Sequence, residues 1–353
     1  MELALLGWTP YYERHFQAIA GPESRVGRVS AEHKHLYRVF TEAGEVLAQV
    51  SGKYRYDAVG RSDYPVVGDW VLLSPGGLDD RASILAALPR VNRFSRMNAG
   101  DREEEQVLAA NLDHVFLFSA LNQEYNLRRI ERYLVMAWEN GAAPVIVLNK
   151  TDLCEDVPAR VHEVTGIAPG VPVHAVSCLT GAGLDRLMPY LAPGQTVALL
   201  GSSGTGKSTF LNRMLGETVQ RTGEIRQDDG RGRHTTTFRQ MHLLPGGGLV
   251  IDTPGLRELK LWASETGITG TFAEIEAFAS HCRFGNCQHD GEPGCAVQAA
   301  LDAGEIDLAR FQSYVKLQKE LAYLSRRDNL NEAQDEKAKW KQISKEIKRI
   351  NKR

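Results

Sequence analysis

Residues 201–208 read Gly-Ser-Ser-Gly-Thr-Gly-Lys-Ser, a glycine-rich run closed by a lysine and a hydroxyl. Each part of that spacing suits a polyphosphate. Gly201, Gly204 and Gly206 let the main chain wrap an anion closely, and Ser202, Ser203 and Thr205 add their N–H groups between them. The helix that opens at Lys207 turns its unpaired N–H groups toward the same charge. In such a cradle Lys207 bridges the β- and γ-phosphates, Ser208 ligates Mg²⁺, and Thr209 belongs to the same first helical turn. The flanks fit, because the apolar run TVALLG precedes the loop and a helical stretch over 207–215 follows it.

A second group of residues bears on the base. Asn149-Lys150-Thr151-Asp152 ends the strand-like run PVIVLNK, where open α/β sheets bind ligands. The Asp152 carboxylate there can accept two hydrogen bonds from the N1 and N2 donors of guanine, which adenine cannot supply. Ser177-Cys178 ends the next strand, where GTPases usually carry Ser-Ala and a backbone N–H meets the guanine O6. Asp252-Thr253-Pro254-Gly255 fits the acid that holds the Mg²⁺ hydration shell and the glycine that senses the γ-phosphate. An ATPase or kinase is disfavoured, since the Asn149–Asp152 element has no purpose in adenine recognition.

Between the phosphate loop and Asp252 lies Gly-Arg-Gly-Arg-His-Thr-Thr-Thr over 230–237, a glycine-rich switch segment. One of its threonines, Thr235 and Thr236 among them, should reach Mg²⁺ and the γ-phosphate when GTP is bound. Leu256 follows Gly255 where Ras-like enzymes carry a water-orienting glutamine, so attack must be positioned by another group: His234, or Arg231 or Arg233. Further on, Cys282, Cys287 and Cys295 with His289 or the adjacent His281 supply three thiolates and an imidazole, enough to close a tetrahedral Zn²⁺ shell of structural type.

The elements that must position these groups fall into three regions. With 353 residues the chain exceeds what one core usually organises. Residues 26–90 hold five strand-like runs (VGRVSAEH, HLYRVFT, EVLAQVSG, DWVLLS, ASILAAL), which suit a small barrel of oligonucleotide-binding or SH3-like type. From Asp113 strands alternate with helical stretches near 127–139, 155–165, 183–191 and 207–215, the rhythm of a parallel α/β sheet, and FRQMHLLP and GLVIDTPG add a hairpin-like pair. After about residue 270 strands cease. The expected domains are therefore 1–95 (barrel), 96–268 (α/β P-loop domain) and 269–353 (helices with the cysteine cluster). The apolar runs are far shorter than the ~20 residues that span a bilayer, and no secretory signal opens the chain, so a cytoplasmic protein without membrane contact is expected. Five cysteines in a reducing compartment favour metal over disulfides. The net charge of −2 names no partner, but residues 336–353 carry eight Lys or Arg against two Glu, with Trp340, Ile343, Ile347 and Ile350 on one helical face.

The base element here precedes the phosphate loop, the reverse of translation-factor-type GTPases. That order is a circular permutation, tolerable because the termini of a compact domain lie close together. In motif order, barrel and cysteine pattern the whole chain resembles the ribosome small-subunit-dependent GTPase A (RsgA) family. The resemblance implies a circularly permuted GTPase between an oligonucleotide-binding barrel and a zinc domain. It favours His234 for positioning the attack and Cys282, Cys287, His289 and Cys295 as the zinc set. It also implies a monomer that hydrolyses GTP with Mg²⁺, carries one structural Zn²⁺, binds the small ribosomal subunit and its rRNA, and is stimulated by that subunit in late maturation. The competing expectation is an RNA-binding protein that uses GTP only as a conformational ligand.

Overall fold

The computed structural model describes residues 1–33, 36–74, 81–97, 105–216, 239–252, 265–323 and 326. The chain forms two compact units, of which the first runs from Met1 to Lys260 apart from a short excursion and the second from Leu261 onward.

In the first unit, Thr9 and Pro10 start α1 (Pro10–Gln17), as a Pro at the first helical position favours. Five strands follow: β1 (Arg25–His33), β2 (Leu36–Thr41), β3 (Gly44–Val50), β4 (Trp70–Leu73) and β5 (Ala82–Ala87). Between β3 and β4 lies α2 (Gly52–Asp57), capped by the Ser51 hydroxyl. Strand order is β1-β2-β3-β5-β4, and β4 pairs back on β1, so the barrel closes. The β3–β5 pair is parallel and the other pairs are antiparallel. That pairing decides for the oligonucleotide-binding type over an SH3-like barrel. Along β2 the odd-numbered Tyr37, Val39 and Thr41 are buried and Arg38 is exposed, and Tyr37 and Val39 pack with Val29, Ala48, Val50, Val71, Leu73 and Ile84.

A hairpin that the sequence pattern does not announce, β6 (Arg93–Met97) and β7 (Glu105–Ala110), links the barrel to the α/β part. There follow β8 (His114–Ala120), α3 (Leu127–Glu139), β9 (Ala143–Asn149), α4 (Val157–Ile167), β10 (Val173–Ala175), β11 (Thr196–Gly201), α5 (Lys207–Leu215), β12 (Gln240–Leu243) and β13 (Leu249–Asp252). The order across the sheet is β10-β9-β8-β11-β13-β12, continued into the barrel through Ala31 of β1 opposite Gln240. Pairings from β10 to β13 are all parallel, so the carboxyl ends of these five strands share one edge. From β8 the chain steps outward to β10, then returns to β11 and steps the other way, which places the change of direction between β8 and β11. β8, β9 and β11 are buried almost throughout and read as continuous apolar runs, as strands covered on both faces do. Phe116, Phe118, Val145, Val147 and Leu199 meet Phe210 and Leu211 of α5 in the core. The stretch expected as a helix over 183–191 is a 3-10 helix, Leu184–Leu191, with Pro189 inside it; the missing Pro N–H explains the departure from α geometry.

The second unit contains α6 (Glu265–Thr271), α7 (Ala273–Ala279), α8 (Ala296–Asp302) and a helical stretch over 308–323. Its buried residues include Phe272, Ile275, Val297, Tyr314 and Leu317. Arg310 is buried with them, its guanidinium 4.5 Å from the Phe272 ring and its Nε donating to Glu274 Oε1 at 2.6 Å. No helix among the described residues is long and apolar enough to cross a membrane.

Candidate active site and metal centre

The phosphate loop leaves β11 at Gly201 and enters α5 at Lys207, so it sits on the carboxyl edge of the sheet. Gly204 and Gly206 adopt φ of 78° and 100°, a region that side chains avoid. Gly206 has a second reason to be glycine, because a Cβ there would collide with Asn149 Nδ2. Lys207 is folded over its own loop, its Nζ donating to Gly201 O at 2.6 Å and to Ser202 O at 2.7 Å. Thr205 is buried and ties the loop to itself, its Oγ1 donating to Ser202 O at 2.8 Å. Ser203, Ser208 and Thr209 are half-buried around the mouth of the loop.

Asn149 joins this loop to the base element. Its side chain is 2% exposed, donates from Nδ2 to Thr205 O at 2.7 Å and accepts at Oδ1 from Cys178 N at 2.9 Å. One amide therefore fastens three segments: the end of β9, the phosphate loop and the Ser177-Cys178 turn. Lys150 follows with φ 66°, a left-handed residue that swings the chain into the 3-10 turn Thr151–Leu153. The turn presents Asp152, whose Oδ1 accepts from Ser177 Oγ at 2.5 Å. Ser177 Oγ in turn accepts from Thr180 N at 3.1 Å, which fixes the hydroxyl. Cys178 is 2% exposed, and burial pushes its thiol up to about 12, so it contributes a small neutral side chain and a positioned N–H.

Three contributors had no motif to reveal them. Arg213 on α5 donates to the carbonyls of Cys178, Leu179 and Thr180 at 3.3, 2.9 and 3.1 Å, pinning the base turn to the phosphate-loop helix. Ser202 Oγ meets Tyr133 OH and Arg129 Nη1 of α3, each at 3.0 Å. Asp252 ends β13, separated from the base element on β9 by β8 and β11, and is buried and level with Leu199 of β11. The four segments around 150, 178, 205 and 252 thus converge on one edge. His234, Thr235, Thr236 and Gly255, with the arginines at 231 and 233, lie outside the described residues.

Residues 87–262 match the family model described as RsgA GTPase. A relative from Opitutus terrae, "Small ribosomal subunit biogenesis GTPase RsgA", is 47% identical over 352 residues, covering 97% of this chain and 96% of its own. The chain belongs to the RsgA GTPase family. The crystal structure of YjeQ from Thermotoga maritima superposes with a TM-score of 0.63 at 30% identity, over 85% of this chain and 99% of that one. YloQ, a circularly permuted GTPase, superposes with a TM-score of 0.61 at 24% identity and shares the fold, covering 87% and 96%. As an RsgA GTPase the protein is a GTP-hydrolysing enzyme, and it shares the fold of the circularly permuted YloQ.

In the second unit of this RsgA GTPase, Cys282, Cys287, His289 and Cys295 bring their ligand atoms within 4.8 Å of one another. Three of the separations test the fit to a metal. Cys282 Sγ lies 3.9 Å from Cys295 Sγ and 3.6 Å from His289 Nδ1, and Cys295 Sγ lies 3.5 Å from that nitrogen. A tetrahedron with Zn–S bonds of ~2.3 Å has edges of ~3.7 Å, so the donor set fits such an ion. His289 reaches its place through a left-handed φ of 61° and is buried; His281 instead points Nδ1 at Ala277 O, 2.8 Å away, and stays exposed.

Proposed function

We propose that this enzyme binds the small ribosomal subunit and its rRNA, assists late subunit maturation, and hydrolyses GTP faster when bound there. The observation that carries the reading is the Asn149 amide, which holds the base element, the Ser177-Cys178 turn and the phosphate loop in one cleft. Asp152 selects guanine: Ser177 holds one carboxylate oxygen, and the remaining lone pairs face the N1 and N2 donors of the base. Cys178 N is already engaged by Asn149, so the O6 of guanine is met by neighbouring N–H groups of the same turn. Lys150 and Thr151 shape the walls of the base pocket.

At the other end, the N–H groups from Gly201 to Thr209 and the Lys207 ammonium cradle the phosphates. Lys207 exchanges its two loop carbonyls for phosphate oxygens when nucleotide enters. Ser208 would ligate Mg²⁺ and Asp252 would hold its hydration shell, the ion supplying charge neutralisation at the β- and γ-phosphates. His234 orients the attacking water and Thr235 or Thr236 closes on the γ-phosphate, while Gly255 senses its presence. The three Cys and His289 hold one structural Zn²⁺. The regions 1–95, 96–268 and 269–353 act as barrel, GTPase and zinc domain of a cytoplasmic monomer. In sequence the Asp252–Gly255 element leads straight into the zinc domain, which offers a route from γ-phosphate state to subunit affinity.

The deciding experiment is steady-state GTP hydrolysis with and without purified small subunits, beside binding of the enzyme to subunits in GDP and in a non-hydrolysable GTP analogue. Stimulated turnover and nucleotide-dependent affinity are expected. Equal rates together with equal affinities overturn the proposal.

A further inference from the structure

α3 is capped by Asn126, whose Oδ1 accepts from Arg129 N at 3.1 Å, but the charge of its first turn runs against the helix. Its first turn contains no acidic residue and carries Arg128 and Arg129, although the positive end of the helix dipole disfavours cations there. Arg128 is compensated one turn on, by Glu131 at 2.6 Å. Arg129 has no carboxylate partner among the described residues. Its one side-chain hydrogen bond runs from Nη1 to Ser202 Oγ at 3.0 Å, and a guanidinium has four further N–H donors to give. Ser202 is thereby flanked by two cations, Lys207 on its carbonyl oxygen and Arg129 on its hydroxyl. Tyr133 OH, on the same hydroxyl at 3.0 Å, braces the arrangement from one turn further along α3. A cation placed against its own helix dipole, with no carboxylate partner among the described residues and half-buried beside an anion cradle, has the composition of a site whose counter-charge is the ligand.

We propose that Arg129 is a phosphate-contacting residue of the hydrolysis reaction, a charge stabiliser supplied within the chain. In the reaction water adds to the γ-phosphorus, the bond from that phosphorus to the β–γ bridging oxygen breaks, and GDP, phosphate and a proton leave. Negative charge grows on the bridging and γ-oxygens during this step, and the remaining Arg129 N–H groups take it up. With Leu256 in place of a glutamine after Gly255, the chain has particular use for such a charge.

The test compares wild type with R129Q and R129K. Affinity for fluorescent GDP and turnover of GTP with saturating small subunits are read in parallel. R129Q is expected to keep GDP affinity within about threefold and to lose at least ~10-fold in turnover, a modest share of what a catalytic arginine supplies. R129K recovers part of that loss. Wild-type turnover in R129Q overturns the inference. So does an equal loss of GDP affinity and turnover, or R129K no better than R129Q, since each marks a purely structural role. Absence of stimulated turnover in wild type would instead count against the ribosomal reading, so the two failures are separable.

Discussion

Replacing Asn149 by Ala tests whether the cleft is assembled as described. The side chain is 2% exposed and makes two hydrogen bonds, to Thr205 O at 2.7 Å and from Cys178 N at 2.9 Å. Thr205 and Cys178 are 3% and 2% exposed, so truncation leaves one buried acceptor and one buried donor without partners. At ~1–3 kcal/mol for each orphaned group the cost is about 2–6 kcal/mol, the lower figure applying where water enters from the open edge. Even about 2 kcal/mol spent on re-forming the site corresponds to ~30-fold in affinity. Titration with fluorescent GDP should therefore show at least that loss, with a lower melting temperature. Gly206→Ala should do the same by a different route, because the added Cβ drives Asn149 Nδ2 away and sits at φ 100°. An Asn149→Ala protein that binds GDP within threefold of wild type and melts at the same temperature would show that the three segments hold their places without the amide.

Other expectations follow from single contacts. Asp152→Asn keeps a partner for Ser177 but turns one acceptor into a donor, so GDP binding should fall by at least ~10-fold while xanthosine diphosphate, which presents an acceptor at position 2, binds better than to wild type; competition titrations read both. Cys295→Ala removes a thiolate from the Cys3His set and the Sγ that caps α8 at Gln298 N, so zinc content by atomic spectroscopy should drop below one per chain and the second unit should melt earlier; undiminished zinc would exclude Cys295 as a ligand. His114, His174 and His242 are each held below the ordinary 6.5, chiefly by burial, so the unfolded state takes up protons first on acidification. Their contribution is complete above pH ~6.5 and is lost as pH falls through the depressed folded values. Calorimetry should show a melting temperature that falls from pH 7.5 to 5.5 with proton uptake on unfolding; net proton release would contradict it.

What could be read from residues alone depended on how local the cause was. The phosphate loop and the Asn149–Asp152 turn carry their conformation in their own glycines and polar side chains, and β8, β9 and β11 show their burial as unbroken apolar runs. The barrel strands were equally visible, but two barrel types share that local pattern, and only the β1–β4 and β3–β5 pairings distinguish them. β6 and β7 were silent because Arg93, Arg96, Glu105 and Gln106 give them no apolar alternation; their pairing comes from partners elsewhere in the chain. Arg213 and Arg129 look like ordinary solvated helix arginines until the turn at 178–180 and the Ser202 hydroxyl are brought to them.

Arg28 shows why the barrel and the GTPase sheet form one mechanical piece. Its guanidinium is buried and donates to Gly68 O in the barrel, Leu6 O before it, Asn111 O after β7, and Thr196 Oγ1 at the start of β11. Burial lowers its pKa to about 10, which still leaves it charged at neutral pH, so the four acceptors are held by a permanent cation that no single one can release cheaply. From Thr196 β11 runs ~17 Å to Gly201, with hydrogen-bonded strands on both sides. The barrel is therefore fastened to the near end of the strand whose far end is the phosphate loop. Its orientation is set by a rod and a buried staple, with the β1–β12 pairing as a second attachment. A partner gripping the barrel then holds the nucleotide cleft itself in a fixed place. Movement that reports GTP against GDP is then expected outside this frame of barrel and sheet rather than within it.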